Sequence, residues 1–422
     1  MMKNFYSAIA AFLFSQIATA QVVIDCGSNR YDEEVFASFD TTNNVTYGAN
    51  VDYQGTNTTL TMDIYQPTGD TVAFRPLIVW VHGGSFVGGS KTDNDVVGLC
   101  QHFAMRGYVC VSINYRLGIT FPFNQANATK AVFRGVQDMK AAVRYFRQDA
   151  ATTNTYRIDP DMIFGGGSSA GAFCALHLAY LDQPSELPSA IDTTVMGGME
   201  GNSGNPGYSS DILAVLNLCG AVGDTAWMLP GDEPVCSMHG TIDDVVPYDT
   251  QMLYLLGAFP IMVVSGSYSV NEHAMLIGNE QSMYTFYGAD HVPYASNASY
   301  MDTTVRFVSN FLYRQMGCTP RNPFPDANTW NTVSVGEPQN SNGSLAVYPN
   351  PATSEFAVTI PIAIGTQFTN SQLEIFNSVG EKVYSALFSK QHTVNCQLFP
   401  KGIYFVRLLN SQEQAVKMLV VE

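Results

Sequence analysis

Residues 161–171 read Asp-Met-Ile-Phe-Gly-Gly-Gly-Ser-Ser-Ala-Gly, and residues 172–181 read Ala-Phe-Cys-Ala-Leu-His-Leu-Ala-Tyr-Leu. Met162 to Phe164 read as the end of a short buried strand, and the run from Ala172 has the pattern of a helix. A strand, a glycine turn and a helix in immediate succession leave few topologies open. Within the turn, Gly167-Ser168-Ser169-Ala170-Gly171 forms G-x-S-x-G with Ser169 at its centre. In this context the motif has a mechanical sense. The serine takes a strained backbone position, and small flanking residues avoid the incoming strand and outgoing helix. Its hydroxyl then stands above the sheet beside a helix N-terminus, where negative charge is stabilised. Taken alone, the same pattern also fits a glycine-rich turn with incidental serines.

The flanking order places the motif in a recognisable scaffold. Asn44–Tyr47 and Thr59–Tyr65 alternate apolar and polar residues around a turn at Gly55–Asn57, as antiparallel strands do. Pro76–Val81 and Tyr108–Tyr115 are near-continuous apolar runs, expected of strands buried on both faces. Helical spacing covers Val96–Arg106 and Ala131–Gln148, the latter with Val132, Val136, Met139, Val143 and Phe146 on one side. Strand patterns return at Ile212–Cys219, Val235–His239 and Gln281–Tyr287, and Ser299–Met316 reads as a closing helix. Alternating strands and helices predict an α/β fold with a mostly parallel central sheet covered on both faces. Residues 181–208, rich in Pro, Gly, Ser and Asn, read as an irregular insertion above the sheet, a partial lid.

A serine hydroxyl needs a base within hydrogen-bond reach and a carboxylate to orient that base. In open α/β sheets both come from loops at the carboxyl ends of later strands. His239-Gly-Thr-Ile-Asp243 follows one such strand and Gly288-Ala-Asp-His291 follows the last. The candidate triad is therefore Ser169 as nucleophile, Asp243 as orienting carboxylate and His291 as general base. Ser168, Asp244 and Asp290 are the adjacent rivals, expected to be structural or surface residues. His82 is expected to brace its loop, His177 to be a satisfied core histidine, His239 to pack or hydrogen-bond structurally, and Tyr115-Arg116 to make a structural contact.

With these residues in place, the stretch from about Asn44 to Met316 resembles α/β-hydrolases of the carboxylesterase and lipase type. His82-Gly-Gly-Ser-Phe86 is similar to their H-G-G-G-[FW] loop, Gly167–Gly171 to their nucleophile elbow, and His239–Asp243 to their H-G-x-x-D segment. The resemblance implies cleavage of carboxylic esters through an acyl-enzyme. It also implies an oxyanion hole made by the backbone N–H groups of Gly84, Ser85 and Ala170. Ser85 departs from the family, which commonly has a third glycine there. Neither a cofactor nor a metal is implied. A serine peptidase on the same fold and a catalytically silent adhesin are the competing functions.

Beyond residue 318 the character changes. Residues 319–344 are rich in Pro, Asn and Gly and read as a linker. Residues 345–422 carry short strand patterns separated by turns, expected to form a small all-β sandwich. Tyr348-Pro-Asn-Pro351, Lys401-Gly-Ile-Tyr404 and Lys417-Met-Leu-Val420 resemble the sorting domain of type IX secretion cargo. That family implies export across both membranes of a Gram-negative bacterium to the surface or medium, with the secretion machinery as partner.

The other end agrees with export. Lys3, an apolar run at Ala8–Phe14 and Ala18-Thr-Ala20 read as a signal peptide over residues 1–20, leaving a hydrolase domain at 21–318. Charged residues make up only 13% and the net charge is −16, which argues against nucleic acid and anionic membrane surfaces as partners. No later segment reads as transmembrane. Of eight cysteines, Cys110, Cys174 and Cys219 fall in apolar patterns, whereas Cys26, Cys100, Cys236 and Cys318 are the disulfide candidates, with connectivity open.

Overall fold

The computed structural model describes residues 24–321, 323–324, 346–348, 350, 352–359, 371–377, 381–389, 391–409 and 414–421. The expected signal peptide and its cleavage site lie outside the described residues, as does most of the expected linker. The chain divides into two units, Met1–Ala327 and Asn328–Glu422.

The first unit is built on an eight-stranded sheet. Its elements are β1 (Phe39–Val51), β2 (Asn57–Pro67), β3 (Arg75–Val81), α1 (Asn94–Met105), β4 (Val109–Ile113), α2 (Gln125–Ala151), β5 (Ile158–Ser168) and α3 (Ala170–Tyr180). The chain continues through α4 (Thr193–Met196), β6 (Val215–Leu218), β7 (Ala221–Val222), β8 (Val235–Gly240), β9 (Thr250–Leu255), β10 (Phe259–Gly266), α5 (Ser267–Leu276), β11 (Gln281–Phe286) and α6 (Ala298–Gln315). Strand order is β1-β2-β4-β3-β5-β6-β8-β11, with β1, β2 and β4 paired antiparallel and every pair from β4 to β11 parallel. This is the mostly parallel α/β sheet that the alternating pattern predicts.

Every residue of β3 is buried, because its two faces feed two different cores. Leu77, Val79 and Val81 pack with Val136, Met139 and Phe146 of α2 and Leu176 of α3. Ile78 and Trp80 pack with Leu99 and Phe103 of α1 and Val308 and Phe311 of α6. The two-residue period of a strand thus sorts one apolar run between two helical layers. The chain leaves β3 for β4 on one side and returns to β5 on the other. That reversal opens a crevice at the carboxyl ends of β3 and β5, where ligands of open α/β sheets bind.

Several expectations are corrected. Helix α2 starts at Gln125, ahead of the expected Ala131, because the Asn124 side chain caps it by accepting from the Asn127 N–H at 3.0 Å. The insertion is a strap rather than a lid. Gln137 donates to the Met196 and Gly198 carbonyls, Arg144 donates to Gly204, and the Ala49 N–H of β1 donates to the Ser203 carbonyl. Its residues 196–205 are therefore fastened along α2 and the sheet edge. The antiparallel pair β9–β10 was not foreseen in the sequence; with β7 it makes a separate three-stranded sheet.

Cys26 and Cys318 form the disulfide, with Cα atoms 5.4 Å apart, joining the N-terminal arm to the residues that follow α6. Cys100 and Cys236, the other bridge candidates, are free and fully buried among the apolar residues of α1 and β8. They pack as small hydrophobes. The start of the expected linker is also tied down: the Arg321 N–H bonds to Asp32, and Phe324 packs edge-on against Tyr284 and Phe307.

The second unit consists of two antiparallel sheets. One has β12 (Ala346–Tyr348), β13 (Glu355–Thr359) and β16 (Gln391–Asn395); the other has β14 (Ser371–Asn377), β15 (Lys382–Phe388), β17 (Gly402–Leu409) and β18 (Gln414–Val421). Phe356, Val358 and Val394 from the first share one core with Leu373, Ile375, Val406 and Leu408 from the second. That is the expected small sandwich.

Candidate active site

The turn between β5 and α3 is made by close backbone packing. A Cβ on Gly171 would fall 1.9 Å from the Val81 carbonyl oxygen, and one on Gly167 would fall 2.1 Å from the Gly171 carbonyl carbon. Neither position accepts a side chain, which is why the strand can turn into the helix so tightly. Between them Ser169 has φ 53° and ψ −118°, a strained conformation for a residue with a Cβ. Its N–H bonds to the Leu218 carbonyl of β6 at 2.9 Å, and it is the N-cap residue of α3.

Three strand ends meet here. His291, beyond the carboxyl end of β11, has Nε2 2.8 Å from Ser169 Oγ and Nδ1 2.6 Å from Asp243 Oδ2. Asp243 is an acceptor only, so Nδ1 carries the proton in this pair and Nε2 is free to accept from the serine. The other oxygen, Oδ1, accepts the Val245 and Val246 N–H groups at 3.0 and 2.8 Å.

A second imidazole reaches the same carboxylate. His239 Nε2 lies 3.0 Å from Asp243 Oδ2 and is fully buried at the end of β8. Its Nδ1 lies 2.7 Å from Ser267 Oγ, which in turn accepts from Asn217 Nδ2 at 3.0 Å. Burial alone would raise the Asp243 pKa, but the hydrogen bonds from His239 and His291 outweigh it and hold the carboxyl well below the usual range. His239, expected to pack or to hydrogen-bond structurally, does the latter: its imidazole holds the carboxylate that orients His291.

The rivals have other partners. Ser168 is fully buried, its Oγ 2.7 Å from the hydroxyl of Tyr294. Asp290 accepts from the Asp244 and His291 N–H groups and so fastens its own loop. His177 donates from Nδ1 to the Phe173 carbonyl at 2.7 Å and accepts at Nε2 from the Gly223 N–H at 3.2 Å. Arg116 is paired with Asp138 in the interior.

The loop after β3 passes directly beside the serine. A Cβ on Gly83 would lie 3.2 Å from the Ser169 Cβ. Gly84, Ser85 and Phe86 follow at φ 108°, 55° and 61°. Ser85 thus adopts a left-handed conformation at a cost of about 1–3 kcal/mol. The loop is braced from behind. His82 Nδ1 donates to the Gly83 carbonyl at 2.7 Å, its ring stacks on Tyr115 at 4.6 Å, and the Tyr115 hydroxyl donates to the His82 carbonyl. Burial lowers the His82 pKa and keeps the ring neutral. Among the described hydrogen bonds none uses the N–H of Gly84, Ser85 or Ala170. These three flank Ser169, and Ala170 begins a helix, where N–H groups lack internal partners.

A cleft lined by Ser85, Ile119, Val132, Phe173, Leu253 and Ile261 opens onto Ser169 and is almost wholly apolar. Leu253 and Ile261 come from the β9–β10 pair. The arrangement can deliver a serine oxygen to an electrophile held against apolar walls, with backbone donors beside it. Among the described residues, one group has metal-binding composition: Cys219, Asp243 and His291, whose ligand atoms lie within 4.8 Å of one another. Asp243 and His291 already bond each other there, and burial pushes the Cys219 thiol up, so it remains protonated.

Residues 62–227 match the BD-FAE family, and residues 346–422 match a family described as a secretion system C-terminal sorting domain. The first match contains Ser169 and stops before Asp243 and His291. Carboxylesterase 3B of Mus musculus is 34% identical over 144 residues, which are 32% of this chain and 24% of that protein. Gut esterase 1 of Caenorhabditis briggsae is 30% identical over 114 residues, 27% of this chain and 19% of that protein. The chain therefore spans about a quarter or less of the length of these curated relatives. A solved thermophilic esterase from Thermogutta terrifontis is 21% identical with a TM-score of 0.47, covering 71% of this chain and 100% of that one. The first unit is thus similar in part to carboxylesterases, and the second to secretion system C-terminal sorting domains.

Proposed function

We propose that the protein is a secreted carboxylic-ester hydrolase acting through Ser169, His291 and Asp243. One observation carries the reading: a continuous hydrogen-bond chain, 2.8 Å from Ser169 Oγ to His291 Nε2 and 2.6 Å from His291 Nδ1 to Asp243. Ser169 Oγ attacks the ester carbonyl carbon while His291 Nε2 takes its proton. The carbonyl oxygen becomes an oxyanion, stabilised by the N–H groups of Ala170, Gly84 and Ser85. Asp243 holds His291 in the required tautomer and offsets the imidazolium charge. His291 then passes its proton to the departing alkoxide, leaving an acyl group on Ser169. Water attacks that acyl group, its proton going to His291; the bond from Ser169 Oγ to the acyl carbon breaks, His291 returns the proton to Oγ, and the acid leaves with the serine restored.

A fluorophosphonate probe tests the nucleophile. Wild type should label and Ser169→Ala should not; equal labelling of the two would sink this assignment. Comparison of 4-nitrophenyl esters with aminoacyl-nitroanilides tests the reaction class, and faster anilide turnover would make the protein a peptidase. We further propose that the signal peptide directs export to the periplasm and that residues 345–422 address the protein to the type IX machinery and are then removed. Deleting residues 345–422 in a host with that machinery should leave the hydrolase cell-associated; normal release would overturn the proposal.

A further inference from the structure

Ser169, Phe173 and His177 follow at four-residue intervals, so the last two stand one and two turns along α3 from the serine, on one face. The Phe173 ring lies parallel to that of His177, at 8° and 6.1 Å, and meets Phe86 edge-on at 6.4 Å. It lines the cleft that opens onto Ser169, and it also lines a second cleft walled by Val136, His177, Trp227 and Met262. The two clefts share Ala128, Val132, Leu253 and Ile261 as well as Phe173, so they are adjoining chambers.

The chemistry of the second chamber is narrow. Both ring nitrogens of His177 are occupied, by the Phe173 carbonyl and the Gly223 N–H. Burial lowers its pKa to about 4, so it brings no charge at neutral pH. A group entering this chamber gains apolar contact and finds no imidazole nitrogen to pair with. The walls are mostly apolar, with Thr129 and Trp227 as the polar exceptions, so a hydrocarbon chain suits such a space.

We propose that Phe173 is the residue that determines acyl length: the enzyme takes esters of straight-chain aliphatic acids, and the Phe173 ring is the end wall that stops the chain short of the second chamber. This rests on the reading of Ser169 as an esterase nucleophile. Each methylene that finds room should raise kcat/KM about 4-fold. With the full chain and linear 4-nitrophenyl esters from acetyl to dodecanoyl, wild type should rise at that rate and then level off. Phe173→Ala should prolong the rise. Two further methylenes accommodated would lift the long-to-short ratio about 16-fold over wild type. Adding Met262→Trp to Phe173→Ala refills the second chamber and should restore the wild-type profile. Phe173→Leu, which keeps more of the packing, should shift the profile in the same direction but less.

Unchanged length profiles in folded Phe173→Ala and Phe173→Leu would overturn the proposal, as would an equal loss at every length or a better rate on feruloyl than on aliphatic esters. Those outcomes leave ester hydrolysis itself intact. No turnover of any ester, with fluorophosphonate labelling indifferent to Ser169→Ala, would overturn the esterase reading and this proposal together.

Discussion

The two halves of the candidate site are held in place by different forces. On the nucleophile side the constraint is steric: Gly167 and Gly171 have no room for a Cβ against the Gly171 backbone and the Val81 carbonyl, and Ser169 is driven to φ 53°. On the acid–base side the constraint is polar. Asp243 accepts from Val245, Val246, His291 and His239, and no strained turn is needed to fix it. A steric constraint fails abruptly when an atom is added. A hydrogen-bonded constraint fails in steps, as donors are removed.

The largest effect should come from the hub of the polar side. Asp243→Asn keeps the shape but turns an N–H toward groups that are all donors, so His291 loses its tautomer. A fall in kcat of about 10⁴-fold is expected, with KM little changed. The sign of the linked pH effect is fixed by the depressed Asp243 pKa. A carboxylate lowered on folding adds stability that is complete above its ordinary value of about 4 and fades as pH falls through its lowered value. Urea melts of wild type and Asp243→Asn should therefore differ most at neutral pH and converge in strong acid. A constant gap would show that Asp243 acts on stability by shape alone.

The steric side is tested next by Gly171→Ala. One methyl group placed 1.9 Å from the Val81 oxygen cannot be absorbed by a side-chain rotation, because both neighbours are backbone. A loss of at least about 4 kcal/mol in stability is expected, with activity lost in proportion to the unfolded fraction. If Gly171→Ala melts like wild type, the turn is looser than its packing implies.

A smaller effect should follow from the Cys26–Cys318 bridge, which anchors the helix that leads away from the His291 loop. Replacing both cysteines by alanine should cost about 2–4 kcal/mol, read as a lower Tm, with kcat unchanged. A drop in kcat at temperatures where the variant is fully folded would place the base loop under control of the bridge.

The same contrast explains how much could be read from the sequence. Steric constraints leave residue types at fixed spacing, so the glycines around Ser169 and the loop at His82–Phe86 were visible. The doubly buried strands were visible for the same kind of reason, since a run such as Leu77–Val81 must be apolar throughout to feed two cores. Asp243 and His291 were visible through their order after later strands. Hydrogen-bond partners leave no such trace. Nothing in the sequence around Ser267 announces that its hydroxyl meets His239, 28 positions away. The β9–β10 pair was missed because β9 lacks a two-residue alternation, being mostly exposed, and β10 contains Pro260. Cys100 and Cys236 each have a polar residue on one side only (Gln101 and Ser237), and their own side chains point into the core.

The finest test of the polar side is His239, whose donor competes with His291 for one carboxylate oxygen. His239 Nε2 and His291 Nδ1 stand 3.0 and 2.6 Å from the same Asp243 Oδ2. His239→Leu removes the first donor and leaves the other three. Asp243 is then held by fewer donors and orients His291 less firmly. A loss of about 10-fold in kcat with KM little changed is expected in a variant that melts cooperatively. A kcat equal to that of wild type would reduce His239 to a packing residue and leave the peptide N–H groups of Val245 and Val246 as the support of Asp243 besides His291.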